Sequence, residues 1–189
     1  MRVFYLILLP RFWAALVLAT LFLGASGWLF SMLFLPKPLK FYNTSFITFA
    51  IPENWHCKQE NLFFSCNEID EGLHDATLLL TAKATGDHDS LNAYETHLNA
   101  ERNMVDADGE EYASVVEAVE RRSINEYEWV VGRHLGSEVR SYRTWYFATV
   151  TSQMSVLVTF SAHHERSQKY LDDVEILLNS LKLGQTDYE

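Results

Sequence analysis

Apolar positions in the second half of the chain recur with two different periods. Between Met154 and Ser161, apolar residues alternate with residues that are small and polar except for Leu157, which is the pattern of a half-buried β-strand. Residues 142–151 and 128–135 also have strand character. Further along, the spacing changes to that of an amphipathic helix with one continuous apolar face. That face consists of Tyr170, Leu171, Val174, Leu177, Leu178 and Leu181.

The last helix is predicted to have a buried side and a solvent side. Its apolar residues recur at i, i+1, i+4, i+7, i+8 and i+11, so we expect them to pack against the sheet that the strands form. In this arrangement, Asp172, Asp173 and Glu175 fall on the far side and are expected in solvent.

Shorter runs before residue 125 also have strand character. Residues 112–124 fit strand alternation or, with their Glu and Ala content, a helix; we favour a strand. The clearer runs are residues 46–51, 55–59, 63–67 and 77–83. With the later strands they predict an α+β fold, in which two helices pack on an antiparallel β-sheet of six to eight strands.

Asp89 precedes the earlier of the two helices. Aspartate is well suited to the N-terminus of a helix, because its carboxylate accepts a hydrogen bond from an unpaired backbone N–H. The helix that follows is expected to carry Leu91, Tyr94, Leu98 and Val105 at approximately helical spacing.

An uncharged stretch, residues 12–35, precedes all of these elements. As a helix it would be about 36 Å long, enough to cross a hydrocarbon core of about 30 Å with some tilt. The alternative is a cleaved signal peptide, for which residues 24–27 supply small side chains. Against that alternative, the apolar run continues to Leu35. We therefore predict one uncleaved transmembrane helix.

The predicted domain order has five parts. An interfacial segment (1–11) precedes the transmembrane helix (12–35), and a linker (36–40) leads to a soluble domain (41–185) and a tail (186–189). Basic residues are almost balanced across the span, and the α-amino group tips the balance toward a cytoplasmic N-terminus. We therefore expect a single-pass protein of the bacterial inner membrane with a periplasmic C-terminal domain.

The chain has two cysteines, Cys57 and Cys66. If residues 61–62 form a two-residue turn, the two cysteines lie directly opposite each other in a hairpin, at a separation that suits a disulfide. The alternative is a pair of reduced thiols in a cytosolic domain. A disulfide would indicate an oxidising compartment and agrees with the outward orientation.

Charge is distributed unevenly along the chain. All 25 acidic residues but only 11 of the 15 basic ones follow residue 52, so residues 53–189 have a net charge of −14. Such a surface repels phosphate groups, which argues against nucleic acid as a partner. The 12 Phe, 9 Tyr and 5 Trp residues exclude intrinsic disorder.

Motifs that would indicate chemistry are weak. The sequence contains no glycine-rich phosphate loop, nucleophile elbow or Cys-x-x-Cys pair, so we predict neither catalysis nor a cofactor. Residues 106–111 resemble the start of a calcium loop, but the glycine stands at position 4 instead of 6, which favours a solvated acidic turn. His163 and His164 could contribute to a metal site, although adjacent side chains point apart in regular elements.

Aromatic and basic residues crowd the strand that begins at Tyr142. Arg140, Tyr142, Arg143 and Trp145 form a candidate patch for a partner. For the arginines, the alternative is ion pairing with nearby glutamates. For the aromatics it is burial, because Trp145 and Phe147 share a strand face that a second layer would cover.

Four small residues of the predicted transmembrane helix, Thr20, Gly24, Gly27 and Ser31, form one narrow stripe. Small residues allow membrane helices to approach closely, so this stripe could pack against another helix in a homodimer or a larger complex. The alternative is chance, since glycine is common in membrane helices.

Several segments together resemble a known superfamily. They are Pro52-x-x-Trp55 at the end of a strand, Phe147-Ala148-Thr149 and Val158-Thr159-Phe160-Ser161 in a hairpin, and Ser180-Leu181 after the last helix. This pattern resembles the PsbP-like superfamily, and within it the bacterial DcrB-type proteins, over residues 41–183. The chain differs from the DcrB type because it lacks a lipid-attachment cysteine, and the helix at 12–35 would replace that anchor.

The resemblance implies an accessory or adaptor module without shared catalytic residues. We therefore expect a non-catalytic subunit of a bacterial envelope membrane complex, which binds other proteins of the complex, or itself, through its membrane helix and periplasmic domain. The alternative is a tethered module that binds a small ligand or lipid in a cleft between sheet and helix.

Overall fold

The computed structural model describes residues 37–61, 63–68 and 75–184, and the described residues from Pro38 onward belong to one compact unit. The strands are β1 (Leu39–Asn43), β2 (Ile47–Pro52), β3 (Trp55–Glu60), β4 (Phe63–Glu68), β5 (Ala76–Ala84), β6 (Asn103–Val105), β7 (Glu111–Ala113), β8 (Val115–Ile124), β9 (Tyr127–Leu135), β10 (Tyr142–Val150), β11 (Met154–His163) and β12 (Lys182–Leu183). The helices are α1 (Leu91–Leu98) and α2 (Leu171–Ser180), and a 3₁₀ turn (Ser167–Tyr170) leads into α2.

Seven strands form one antiparallel sheet in the order β3-β4-β5-β11-β10-β9-β8. A second sheet contains β1, β2 and β12, and β6 and β7 form a separate hairpin. The predicted α+β fold, an antiparallel sheet with two helices, is confirmed. The predicted strand at 112–124 is also confirmed, as β7 and β8.

The main core lies between one face of the seven-stranded sheet and a layer formed by α2 and the three-stranded sheet. Leu177 and Leu178 of α2 are fully buried there. Trp145 and Phe147 are also buried on this face of β10, in agreement with the expectation that a second layer covers them. The burial pattern of β11 alternates as predicted over most of its length.

α1 covers part of the opposite face of the sheet. Leu98 packs there against Val130 and Tyr146. Gly132 permits this close approach, because a Cβ at that position would lie 3.2 Å from two carbon atoms of the Leu98 side chain. Elsewhere this face carries polar and partly exposed side chains, among them Leu79 at 39% exposure.

The first strand begins at Leu39, within the segment for which the sequence predicts a linker. Among the described strands, β1 pairs only with β2 and occupies an edge of its sheet. Its side chains are half-buried or exposed, with Phe41 at 74% exposure. An edge strand with so little buried surface leaves no clear alternation in the sequence.

The boundaries of α1 differ from those predicted. Ser90, and not Asp89, caps the helix, and its hydroxyl oxygen accepts a hydrogen bond from the third helical N–H. The Asp89 carboxylate instead accepts from Gly86 N–H at 2.8 Å, in the preceding turn. The helix ends at Leu98, so Val105 belongs to β6 and not to the helix.

Asp173 does not lie on the solvent side of α2, contrary to the sequence-based expectation. It is only 2% exposed, and its Oδ2 accepts a hydrogen bond from Trp55 Nε1 at 3.0 Å. Trp55 is itself fully buried and packs edge-on against Tyr170 and Phe160. The carboxylate therefore satisfies the one polar atom of a large core side chain, and joins α2 to β3.

We expect Asp173→Ala to lower the free energy of unfolding by about 1–3 kcal/mol, because the Trp55 N–H would then be buried without an acceptor. Asp172→Ala is the matched control, since Asp172 lies in the same helical turn but is exposed. This control should change stability by about 0.5 kcal/mol or less. Urea unfolding of both variants measures the difference, and equal effects would contradict the structural role of Asp173.

Candidate functional site

Cys57 and Cys66 are joined by a disulfide across the first hairpin. They are register partners on β3 and β4, and the ladder continues to Glu60 and Phe63. The connection therefore has two residues, which places the cysteines directly opposite each other. The predicted disulfide is confirmed.

The predicted membrane-packing residues Thr20, Gly24, Gly27 and Ser31 lie outside the described residues, as do the predicted span at 12–35, the interfacial segment and the tail. Within the described part of the chain, neither helix has the length and apolar character needed to cross a bilayer. The membrane helix thus stays a prediction from sequence.

The candidate patch of Arg140, Tyr142, Arg143 and Trp145 does not form a single surface. Tyr142 and Trp145 are three positions apart on β10, so their side chains lie on opposite faces of the sheet. Trp145 is only 7% exposed, in the main core. Arg140 precedes the strand, in the turn that joins it to β9. The strand pleat therefore separates Tyr142 from Arg143 and Trp145, and Arg140 lies outside the strand.

The arginines of this region make ion pairs. Arg143 binds both carboxylate oxygens of Glu117 at 2.8 Å, and Arg133 approaches the same carboxylate at 2.9 Å. The two guanidinium groups contribute to holding the pKa of Glu117 below its ordinary value, although partial burial acts in the opposite direction. Arg140 pairs with Asp106 at 2.8 Å. Ion pairing, the alternative given for the arginine cluster, thus describes these contacts.

The acidic turn at residues 106–111 is held by its own backbone. Asp106 Oδ1 accepts hydrogen bonds from the N–H groups of Asp108 and Glu110 at 3.1 and 2.9 Å. These contacts and Arg140 lower the pKa of Asp106.

His163 and His164 lie closer than expected, with ring centroids 4.7 Å apart. Nevertheless, the described residues contain no cluster of three or more His, Cys, Asp or Glu side chains that could hold a metal ion.

A cleft of about 260 Å³ opens between the β8–β9 hairpin, β10 and α2; we refer to it as the α2 cleft. Its apolar lining combines two aromatic rings of the core with three aliphatic side chains. These residues are Ile124, Trp145, Phe147, Leu171 and Leu178. Its polar lining consists of Arg122, Ser123, Asn125, Glu175 and Asn179. The lining is therefore mixed, with polar groups beside apolar side chains, and such a combination occurs in binding sites of proteins.

Asn125 ties the two walls of the α2 cleft together. It forms with Glu126 the two-residue turn between Ile124 and Tyr127, and both turn residues have φ near +45°, at 47° and 42°. Such left-handed pairs are typical of tight hairpin turns, and asparagine tolerates them well. The Asn125 amide donates to the carbonyl of Leu181, just after α2, at 2.7 Å. The hairpin is therefore fixed to the end of the helix.

A shallow groove continues from the cleft over the surface of α2; we call it the α2 groove. Its lining consists of Asp172, Glu175, Ile176, Asn179 and Ser180. Glu175 and Asn179 line both the cleft and the groove, so the two are continuous. Asp172 and Glu175 are exposed, so the side of the groove that α2 forms is acidic. On the hairpin side, Arg122 lies 3.9 Å from Glu120.

A partly buried polar network lies next to α1, on the other face of the sheet. The Tyr146 hydroxyl donates to Glu138 at 2.5 Å and lies 2.9 Å from the Ser137 hydroxyl. Burial, together with the Glu138 carboxylate, raises the pKa of Tyr146 to about 12. The Arg102 guanidinium lies over the tyrosine ring at 5.1 Å, and His134 packs edge-on against it at 5.2 Å.

His134 is a buried histidine through which we expect the stability of the domain to depend on pH. The side chain is fully buried, and burial lowers its pKa. The backbone of Leu98 and the Glu117 carboxylate act in the opposite direction, whereas Arg102 and His97 lower the pKa further. In the unfolded chain its pKa returns to about 6.5. The unfolded state therefore binds more protons as the pH falls below about 6.5, and stability is lost in that range.

We expect the free energy of unfolding to fall between pH 7.5 and pH 5.5, and part of this fall to disappear in His134→Phe. Phenylalanine keeps a ring of similar shape but does not titrate. His163→Phe is a control at a half-buried histidine. Urea unfolding at a series of pH values gives, for each protein, the slope of the free energy of unfolding against pH. A slope in His134→Phe equal to that of the wild type would refute this assignment.

Comparisons with known proteins bear on the fold. No protein-family model matches the sequence, and no curated protein matches it significantly. Solved structures do match. A protein from Bacteroides thetaiotaomicron aligns over 82% of this chain with a TM-score of 0.57 and 11% identity; the present chain spans only about half of that protein, 51%.

Two smaller proteins are similar over nearly their whole length. Cyanobacterial PsbP (CyanoP) from Synechocystis sp. PCC 6803 aligns over 79% of this chain and 95% of its own, with a TM-score of 0.53 and 9% identity. LpqN from Mycobacterium tuberculosis aligns over 78% and 91%, with a TM-score of 0.50 and 10% identity. At such identities the likeness shows the fold alone, which is an α+β fold of the PsbP-like type.

The sequence indicated part of the α2 cleft. The shared strand parity of Trp145 and Phe147 placed them on one face, and the periodicity of the last helix placed Leu171 and Leu178 beside them. Glu175 and the Asn125 turn gave no such signal, because their role depends on the contact between the hairpin and α2.

Proposed function

We propose that this protein is a non-catalytic accessory or adaptor subunit of a bacterial envelope membrane complex, and that it acts by binding other proteins. The observation that carries the proposal is the α2 cleft. Its volume of about 260 Å³ lies below the roughly 300–1,000 Å³ of small-molecule pockets. Anchor side chains at the centre of protein interfaces fill small pockets that have apolar walls and a polar rim.

The disulfide and the fold support an envelope location. Stable disulfides belong to oxidising compartments, which favours a periplasmic domain. Among structures of similar fold, LpqN is described as involved in cell envelope biogenesis. In this proposal the chain is a DcrB-type protein in which the helix at 12–35 replaces the lipid anchor. The stripe of Thr20, Gly24, Gly27 and Ser31 would pack on another membrane helix.

Purification of the full chain from membranes in mild detergent tests the proposal. We expect at least one other protein to co-purify at a constant stoichiometric ratio through successive columns. A chain that elutes alone under these conditions, at several detergent strengths, would contradict the proposed function.

A second candidate is a tethered module that binds a small ligand or lipid. The observation in its favour is that Trp145 and Phe147 line the same cleft, so a small apolar molecule would also bury surface there. The same purification separates the two functions. A chain that carries a bound small molecule, identified by mass spectrometry of the extracted sample, and no other protein would support this candidate.

A further inference from the structure

The geometry points to the partner's chemistry: we infer that the α2 cleft and α2 groove bind a short segment of a partner protein that carries a bulky apolar side chain next to a lysine or arginine. This inference rests on the protein-binding function proposed above and names the surface and the partner for it.

The cleft supplies the site for the apolar side chain. Trp145 and Phe147 belong to the packed core and are only 7% and 4% exposed, so the small part of their surface that lines the cleft is held rigidly. Leu178 borders the cleft but is itself fully buried. Ile124 and Leu171 are half-buried and add apolar surface at the mouth. A side chain that enters would exchange water contacts for contacts with fixed apolar atoms, and the site loses little conformational entropy on binding.

The groove supplies the site for the flanking residues. It is continuous with the cleft through Glu175 and Asn179, so a segment that inserts one side chain can extend over α2. Asp172 and Glu175 are exposed carboxylates one helical turn apart on this surface. None of the described residues that line the groove is basic. A cationic side chain beside the inserted residue would therefore lie against two negative charges.

Charge argues against two other occupants. A second copy of this chain would bring another strongly acidic surface, because residues 53–189 have a net charge of −14. A fatty acid would bring a carboxylate close to Asp172 and Glu175, with Arg122 as the single cation among the described residues that line the cleft. A basic and apolar protein segment matches both the cleft and the groove.

Three labelled heptapeptides test the inference, each with Gly-Ser at one end and Ser-Gly at the other. Their central residues are Lys-Trp-Lys, Glu-Trp-Glu and Lys-Ala-Lys. Fluorescence anisotropy measures their binding to the full chain in phosphatidylcholine nanodiscs, with empty nanodiscs as background. We expect Lys-Trp-Lys to bind about 30-fold more tightly than Lys-Ala-Lys, the loss typical of a removed anchor. It should also bind more tightly than Glu-Trp-Glu.

Variants of the protein locate the site. Glu175→Lys should weaken Lys-Trp-Lys binding about three- to tenfold and strengthen Glu-Trp-Glu binding, since charge is reversed at the shared rim. Glu111→Lys makes the same charge change on β7, at a residue that lines neither the cleft nor the groove, and should leave both affinities unchanged. Asn179→Trp adds a ring at the cleft and should abolish binding. A melting temperature equal to that of the wild type establishes that each variant is folded.

Several results would overturn the inference. One is equal binding of the three peptides, or no binding of any of them. A second is the same loss in Glu111→Lys as in Glu175→Lys, which would show a general charge effect. Binding of oleate to the chain without binding of any peptide would favour the lipid candidate. Self-association in sedimentation that Asn179→Trp abolishes would favour a second copy. If instead Asn179→Trp retains the co-purifying protein, the cleft is not the site although the proposed function stands.

Discussion

Leu177→Ala should lower the free energy of unfolding by about 2–5 kcal/mol, the usual result of opening a cavity in a packed core. Leu177 is fully buried in the face of α2 that contacts the three-stranded sheet and the seven-stranded sheet. Both sheets are antiparallel and are held by their own backbone hydrogen bonds, so they have little freedom to close around the missing side chain.

Leu79→Ala is the matched control for that substitution. The same atoms are removed, but Leu79 is 39% exposed on the side of β5 that faces away from the main core. We expect a loss of about 1 kcal/mol or less. Urea unfolding followed by circular dichroism measures both variants. Equal losses, or no loss in Leu177→Ala, would show that α2 does not pack in the core as described.

Loss of the disulfide should have the second largest effect. Replacing Cys57 and Cys66 together by alanine removes a cross-link between residues nine positions apart. In the chain-entropy model, a loop of this length accounts for about 2.5–3 kcal/mol of stability. Part of the alanine effect is loss of packing, because Cys66 is fully buried and Cys57 nearly so.

Reduction of the wild-type protein separates these two contributions. The reduced protein keeps both sulfur atoms, so its loss of stability reports on the cross-link alone. Mass spectrometry without reductant should find both cysteines protected from alkylation in the native protein. Two alkylated thiols would contradict the disulfide and would weaken the argument for a periplasmic domain.

The elements with strong periodicity could be predicted from the sequence. The hairpin of β3 and β4, the hairpin of β10 and β11, and the apolar face of α2 all bury one side against a common core, and burial is what produces a regular pattern. The disulfide followed from the short hairpin. By contrast, β1 has an exposed edge and gave no pattern.

The errors have a common physical cause, which is a specific contact that the periodicity of the sequence does not show. The position of Asp173 on its helix predicts exposure to solvent, but Trp55, 118 residues earlier, lies beside it. Asp89 is a good helix cap in isolation, but the turn at Gly86 binds its carboxylate first. The α2 cleft likewise needs the β8–β9 hairpin to contact the end of α2 through Asn125.

Site-specific photo-crosslinking in native membranes tests the central claim, which is that the α2 surface binds a protein. Benzoylphenylalanine replaces the exposed Asp172 in the α2 groove or, as a control, the exposed Thr81 on the partly covered face of the sheet. We predict an adduct between position 172 and the protein that co-purifies with the full chain, and none from position 81. An adduct only from position 81, or only lipid adducts from position 172, would contradict the account.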